Sequence, residues 1–135
     1  MQLNYKFHKG NLLKMKGLNK LKTAILEATG AKSVDFAPSG RVVDLTDSTG
    51  ERYSCMIDRR STKRFDEPVI SYSSDMLLNL KAVNRNNDKG LIIVVDKYDL
   101  KRVFVINPRH PEPCGCRLVE SFNEFGEKVY TFVRF

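Results

Sequence analysis

The sequence predicts an α/β fold built on a mixed sheet, and three observations carry that expectation. Residues 17–29 place Leu18, Leu21, Ala24, Ile25 and Ala28 at the spacing of one helical face. Residues 41–58 alternate apolar and polar side chains around the turn sequence Asp47-Ser48-Thr49-Gly50. Two nearly continuous apolar runs, Leu91–Val95 and Val103–Ile106, have the composition of central strands covered on both faces.

Taken in order, the first helix starts at Gly17, or as early as Asn11 if Leu12, Leu13 and Met15 extend it, and Gly30 stops it. Val34–Phe36 reads as a short strand. Arg41–Thr46 is a second, with Val43 and Leu45 on one face and Val42, Asp44 and Thr46 on the other. After the turn, Arg52–Asp58 returns antiparallel with Tyr53, Cys55 and Ile57 inward. Ser73 or Ser74, followed by Asp75, caps a second helix whose stripe is Met76, Leu77, Leu80 and Val83 and whose end falls at Asn86-Asn87. The two apolar strands follow, and Arg117–Phe135 forms a terminal hairpin turning near Asn123–Gly126. The expected order is an optional N-terminal strand, then α, β, β, β, α, β, β and a hairpin.

Length and composition favour one domain over residues 1–135, with a core at about 11–107 and the hairpin at about 117–135. Apolar residues make up 41% and charged residues 29%, and no Gly/Ser-rich or Pro-rich linker interrupts them. The longest apolar run is far too short for a bilayer and no secretory signal opens the chain, so a soluble, cytoplasmic protein is expected. Cys55, Cys114 and Cys116 are an odd number, which argues for reduced thiols.

Lys and Arg number 23 against 16 Asp and Glu, a formal charge of +7. Such an excess raises affinity for polyanions, so nucleic acid is the expected partner, DNA ahead of RNA. The alternative is an ordinary solvated basic face. The charge is concentrated in Lys6, Lys9, Lys14, Lys16, Lys20 and Lys22, and again in Arg59, Arg60, Lys63 and Arg64. No amphipathic segment with a bulky aromatic face accompanies it, which argues against a membrane surface.

Residues 16–62 carry a family resemblance. Lys16-Gly17-Leu18-Asn19 opens a helix. Thr29-Gly30-Ala31 and Ala37-Pro38-Ser39-Gly40 follow, an Asp lies within a strand, and Cys55-Met56-Ile57-Asp58-Arg59-Arg60-Ser61 closes a hairpin. This run resembles the archaeal-type Holliday-junction resolvases and, more broadly, the PD-(D/E)xK nuclease superfamily. The resemblance implies a restriction-endonuclease-like mixed sheet flanked by two helices, to which the C-terminal β-hairpin is added. It also implies a metal-dependent endonuclease-like protein acting on DNA, with branched DNA among the expected substrates and Mg²⁺ or Mn²⁺ as cofactor.

Carried across residue by residue, Asp44 and Asp58 match the two acids that hold the metal, and Arg60 stands at the position of the Lys. Two carboxylates on adjacent strands suit a hard cation at a phosphodiester. They approach each other if the turn centres near Gly50 and Glu51. Arginine stays protonated and cannot act as a general base, although it can stabilise a phosphate by charge. The family's helical Glu is matched by Leu21, with Glu27 about two turns further on. The backbone-holding set is Lys14, Lys16, Lys20, Lys22, Arg59, Lys63 and Arg64. The alternative is a catalytically inactive nuclease-fold protein that binds nucleic acid or a protein partner in a regulatory role.

His110, Cys114 and Cys116 form a second constellation, but a zinc site needs a fourth ligand, such as Cys55 or His8, so a Pro-stiffened loop is the favoured reading. Aromatics interleave with charge at Tyr5, Phe7, Phe65, Tyr72 and Tyr98, where they could stack on unpaired bases. The later set, Phe122, Phe125, Tyr130, Phe132 and Phe135, is expected to be mostly core. Its apolar surplus would also suit a homodimer interface.

Overall fold

The computed structural model describes residues 17–84 and 89–135, apart from the side chains of residues 81–83. Residues 17–29 form helix α1, and Gly30 ends it in the left-handed region at φ 69°, its amide bonded to the Leu26 carbonyl at 2.9 Å. The strands that follow are β1 (Ser33–Phe36), β2 (Val42–Thr46) and β3 (Arg52–Arg60). A short helix α2 (Thr62–Phe65), strand β4 (Val69–Ser73) and helix α3 (Ser74–Val83) make the crossover to β5 (Ile92–Asp96). Then come β6 (Asp99–Ile106), a 3₁₀ turn (Glu112–Cys114) and the hairpin β7 (Cys116–Phe122) and β8 (Lys128–Arg134). Among the described residues no helix is long and apolar enough to cross a membrane.

The main sheet has five strands in the order β1-β2-β3-β5-β6. It is mixed: β3 and β5 run parallel, and the other neighbours pair antiparallel. Leu21 and Ile25 of α1 pack on one face against Val43, Leu45, Tyr53, Cys55, Ile57, Ile93 and Val95. The other face offers Ile92, Val94 and Ile106 to Phe65, Ile70, Tyr72, Leu80, Cys116 and Phe132. Successive β5 residues thus enter two different cores, which explains a strand buried at every position.

The second face is covered by an element absent from the sequence reading. Val69–Ser73 forms β4, which joins the terminal hairpin in a three-stranded antiparallel sheet of order β4-β8-β7. Ile70 and Tyr72 point into the core while Ser71 points out and meets Thr131 at 2.9 Å. The hairpin is therefore a structural layer and not an appendage. Of its aromatics, Phe132 is buried whereas Phe122, Phe125 and Phe135 are exposed.

Two further expectations need correction. The Val103–Ile106 run lies in an edge strand, and only Ile106 of it is fully buried, because α1 and the second sheet reach the sheet margin incompletely. Helix α3 begins where expected, with the Ser73 side chain accepting the Met76 amide at 3.4 Å, but Met76 itself is exposed and the helix is capped at Asn84.

Asn84 is buried and solves a problem that the parallel pairing creates. Strand β3 starts four residues before its ladder with β5, which begins at Met56 opposite Ile92. The backbone of Ser54 therefore has no strand beside it on that side. The Asn84 side chain takes the strand's place, accepting the Ser54 amide at 2.8 Å and donating to the Ser54 carbonyl at 2.8 Å. Gly90 makes room for it, since a Cβ there would lie 2.8 Å from Asn84 Nδ2. Replacing Asn84 with Ala leaves two partly buried backbone groups unpaired, at about 1 kcal/mol each. Both Asn84→Ala and Gly90→Ala are expected to lower the urea midpoint of unfolding by amounts that are not additive, because they disturb the same contact.

Candidate functional site

The hairpin that carries Asp44 and Asp58 is set by Asp47. Its carboxylate accepts the Thr49 amide at 2.9 Å, the Thr49 hydroxyl at 2.6 Å and the Glu51 amide at 3.0 Å. Lys89 adds ion pairs to Asp47 at 2.6 Å and to Glu51 at 2.7 Å. The Lys89 contact, then the Thr49 hydroxyl, hold the Asp47 carboxyl well below the usual carboxylate range. The loop consequently centres on Thr49, with Thr46 opposite Arg52 and Asp44 opposite Ser54. That is two residues earlier than the centre that would bring the two acids together. Asp44 and Asp58 share a face of the sheet but stand four positions apart along the ladder, about 13 Å at strand rise.

Each acid has its own partners. Asp44 accepts the Ser54 hydroxyl at 2.6 Å and pairs with Arg52 at 3.4 Å. Arg52 also reaches Asp35, which lies directly across from Asp44 on β1. Asp58 and Arg60, two apart on one face, form a partly buried ion pair with Nε at 2.7 Å. The Tyr72 hydroxyl from β4 donates to the same carboxylate oxygen at 2.5 Å. Burial first, then the Asp58 carboxylate, push the Tyr72 phenol far up. Burial alone would lower Arg60, but the bond and charge of Asp58 outweigh it and raise it.

The end of the main sheet where β3 and β5 finish gathers cations from separate parts of the chain. Arg59 and Arg60 close β3, α2 contributes Lys63 and Arg64, and the β5–β6 turn contributes Lys97, with Lys101 and Arg102 following in β6. The Lys97 amide donates to the Arg60 carbonyl at 2.9 Å, which ties the turn to β3. Arg41 precedes β2 at the same end, its carbonyl accepting the Ile57 amide at 2.8 Å. Gly17 abuts Leu100 from above, and Lys20 shares a hollow of about 390 Å³ with Lys101, Thr23 and Glu27.

Three acids at this end are paired with arginines, while Asp99 is exposed and accepts the Lys101 amide at 3.3 Å. Asp58 is bound to Arg60, Asp66 to Arg102, and the fully buried Asp96 to Arg102 at 3.1 Å and to the Thr62 hydroxyl at 2.9 Å. Among the described residues, Arg41, Lys63, Arg64, Lys97 and Lys101 are exposed and form no ion pair with an acid. The opposite end holds Asp35, Asp44, Asp47 and Glu51 with Arg52 and Lys89. Charge is thus sorted along the strands, basic where β3 and β5 end and acidic where β2 turns into β3.

Arginine also builds the interior of this end. The Arg134 guanidinium lies 3.6 Å from the Phe104 ring centroid and 5.1 Å from that of Phe65, and Arg102 lies 4.7 Å from the latter. Burial lowers the Arg134 pKa from its ordinary value, and its Nε and Nη2 atoms are enclosed without a hydrogen-bond partner.

Of the sequence-derived basic set, Arg59, Lys63 and Arg64 meet at this end, Lys20 joins from α1, and Lys22 is half-exposed on the same helix. Lys14, Lys16 and His8 lie outside the described residues. Arg41, Lys97, Lys101 and the bond from Tyr72 to Asp58 escaped sequence reasoning, since hairpin register brings Arg41 to β3 and only the crossover brings the others. Cys55 belongs to the α1 core while Cys116 belongs to the core on the other face, so the expected fourth zinc ligand is not beside His110. The Cys114 thiol instead faces the His110 carbonyl at 3.9 Å. Among the described residues no three His, Cys, Asp or Glu side chains group as a metal site. Comparison with known protein families, curated proteins and solved structures gave no match for the chain.

Three outcomes follow from these contacts. Asp58→Ala strands the Arg60 charge and the Tyr72 hydroxyl together, so it is expected to destabilise by about 3 kcal/mol in chemical unfolding. A double-mutant cycle of Asp58→Asn with Tyr72→Phe is expected to show coupling of about 1 kcal/mol or more. Burial pushes the Cys55 thiol up to about 12, so at a pH near its ordinary value of 9.0 it stays protonated. Mass spectrometry after iodoacetamide treatment should find Cys114 modified and Cys55 spared in the native protein, and both modified in urea.

Proposed function

We propose that the protein binds nucleic acid, DNA foremost, through the basic end of its main sheet, and that it holds the phosphate backbone without cutting it. The observation that carries this reading is the sorting of charge. Five or more exposed cations without acid partners converge where β3 and β5 end, while Asp58, Asp66 and Asp96 of the same end are paired with Arg60 and Arg102. Phosphate contacts of this kind give affinity without reading sequence. The carboxyl end of parallel strands is also where open α/β sheets bind their ligands.

The order of α1, three antiparallel strands, a crossover and a parallel strand is in keeping with the nuclease resemblance. The positions of the acids favour its non-catalytic branch. Asp58 is engaged by Arg60 and Tyr72, Asp44 stands about 13 Å along the ladder, and Arg60 cannot accept a proton. The second reading, a metal-dependent endonuclease with Mg²⁺ or Mn²⁺ held by Asp44 and Asp58, is favoured by one feature: Asp58 and Arg60 project from one face at the basic end.

Binding to labelled DNA should weaken about a hundredfold between roughly 50 and 200 mM salt if some four or five phosphates are contacted. Combined Lys63→Glu, Arg64→Glu and Lys97→Glu should remove binding while circular dichroism and thermal unfolding stay as in the parent. Affinity insensitive to salt, or unchanged in that variant, would refute the assignment. Calorimetric titration with Mn²⁺ and incubation with four-way, flapped and linear DNA separate the two readings: saturable metal binding lost in Asp58→Asn, together with cleavage, selects the endonuclease.

A further inference from the structure

Tyr98 occupies the tip of the β5–β6 turn and is 74% exposed. An exposed aromatic ring contributes little to the fold that carries it, yet the backbone that carries this one is firmly bonded. The carboxylate of Asp96, with no exposed surface, accepts the Tyr98 amide at 2.9 Å, the Thr62 hydroxyl at 2.9 Å and Arg102 Nη1 at 3.1 Å. An irregularity in the ladder between Val95 and Asp96 turns the chain there, and the Lys97 amide is fixed to the Arg60 carbonyl. Four hydrogen bonds and a bulge thus present one ring to solvent, with the Lys97 ammonium 5.2 Å from its centroid.

The surroundings of the ring set it apart from the other exposed aromatics. Phe122 and Phe125 flank the β7–β8 loop, where Glu120, Glu124 and Glu127 would repel a polyanion. Tyr98 instead lies beside Lys97 at the end of the sheet that carries Arg59, Lys63, Arg64 and Lys101, with Asp99 as its neighbour in the chain. An exposed aromatic on a fixed turn, beside cations without acid partners, matches the way unpaired nucleotides are bound, each base face stacking on a ring while cations follow the backbone. In a duplex the base faces are already covered by their neighbours, so a lone ring gains nothing from stacking on them.

We infer that Tyr98 is a stacking platform for an unpaired base, so that the preferred ligand is single-stranded nucleic acid or a duplex with an unpaired segment. This inference rests on the nucleic-acid binding proposed above and names its substrate class. Holding the turn in advance removes the backbone ordering cost that a mobile loop would bring to the complex. Lys97 supplies the phosphate contact next to the stacked base.

The test uses the full chain and two fluorescent probes, a ~12-nucleotide oligothymidylate and a blunt duplex of equal length, a span within the usual site sizes. The parent is expected to bind the single strand more tightly than the duplex. Tyr98→Ala should bind the single strand roughly tenfold more weakly and the duplex unchanged, whereas Tyr98→Phe, which keeps the ring, should retain the preference. A 2-aminopurine placed in the single strand should be quenched by the parent and by Tyr98→Phe but not by Tyr98→Ala. If Tyr98→Ala binds the single strand as tightly as the parent, or loses both probes equally, the stacking role is overturned while the phosphate-binding role stands. A parent that binds neither probe overturns both.

Discussion

The carboxylate of Asp47, gripping the amides of Thr49 and Glu51, decides which residues of β2 and β3 face each other. The period of a strand is two, so a slip of one residue would turn Val43, Leu45, Tyr53, Cys55 and Ile57 away from α1 and bring Asp44 and Ser54 in their place. Strand β3 is also the link between the antiparallel part of the sheet and parallel β5. Its phase therefore fixes the phase of β5 and, through Ile92 and Val94, the surface on which β4, β7 and β8 pack. Lys89 returns from the far side of α3 to brace the same turn. One small polar contact on the surface thus governs two cores, and it also keeps Asp44 and Asp58 apart.

What the sequence disclosed was local. The helical spacing of Leu21, Ala24 and Ile25, the Ser73 cap, the β2–β3 turn and the terminal hairpin each depend on residues within a few positions of one another. What it concealed depended on partners far along the chain. Val69–Ser73 alternates like a strand, but it is short, follows Pro68 and runs straight into a helix cap, so only its pairing with β8 reveals it. The apolar Val103–Ile106 looked central because composition cannot say whether a neighbouring strand exists. At the site, the shared face of Asp58 and Arg60 followed from a spacing of two residues, whereas the bond from Tyr72 did not.

The gathering of cations shows the same division. Arg59, Arg60, Lys63 and Arg64 are a visible run, but Lys97 and Lys101 join them through a parallel crossover. Parallel neighbours end on the same side, so residues closing β3 and β5 must share an edge of the fold. Around them three acids are taken up by two arginines: Asp58 pairs with Arg60, which packs against Tyr72, and Asp66 and Asp96 pair with Arg102, which packs against Phe65. This pairing keeps those carboxylates from competing for the outer cations.

Asn84 has a consequence beyond satisfying two backbone groups. The first residues of β3 would otherwise present a bare strand margin toward the gap before β5, a ready template for a strand from another molecule. A side-chain amide reproduces the donor and acceptor of a peptide but offers nothing on its far side for a further strand to pair with. It therefore ends the ladder as well as extending it. In a chain whose second sheet already carries an outer face of Val69, Val119, Val129 and Val133, such a terminator guards one place where sheet-to-sheet growth between molecules would begin.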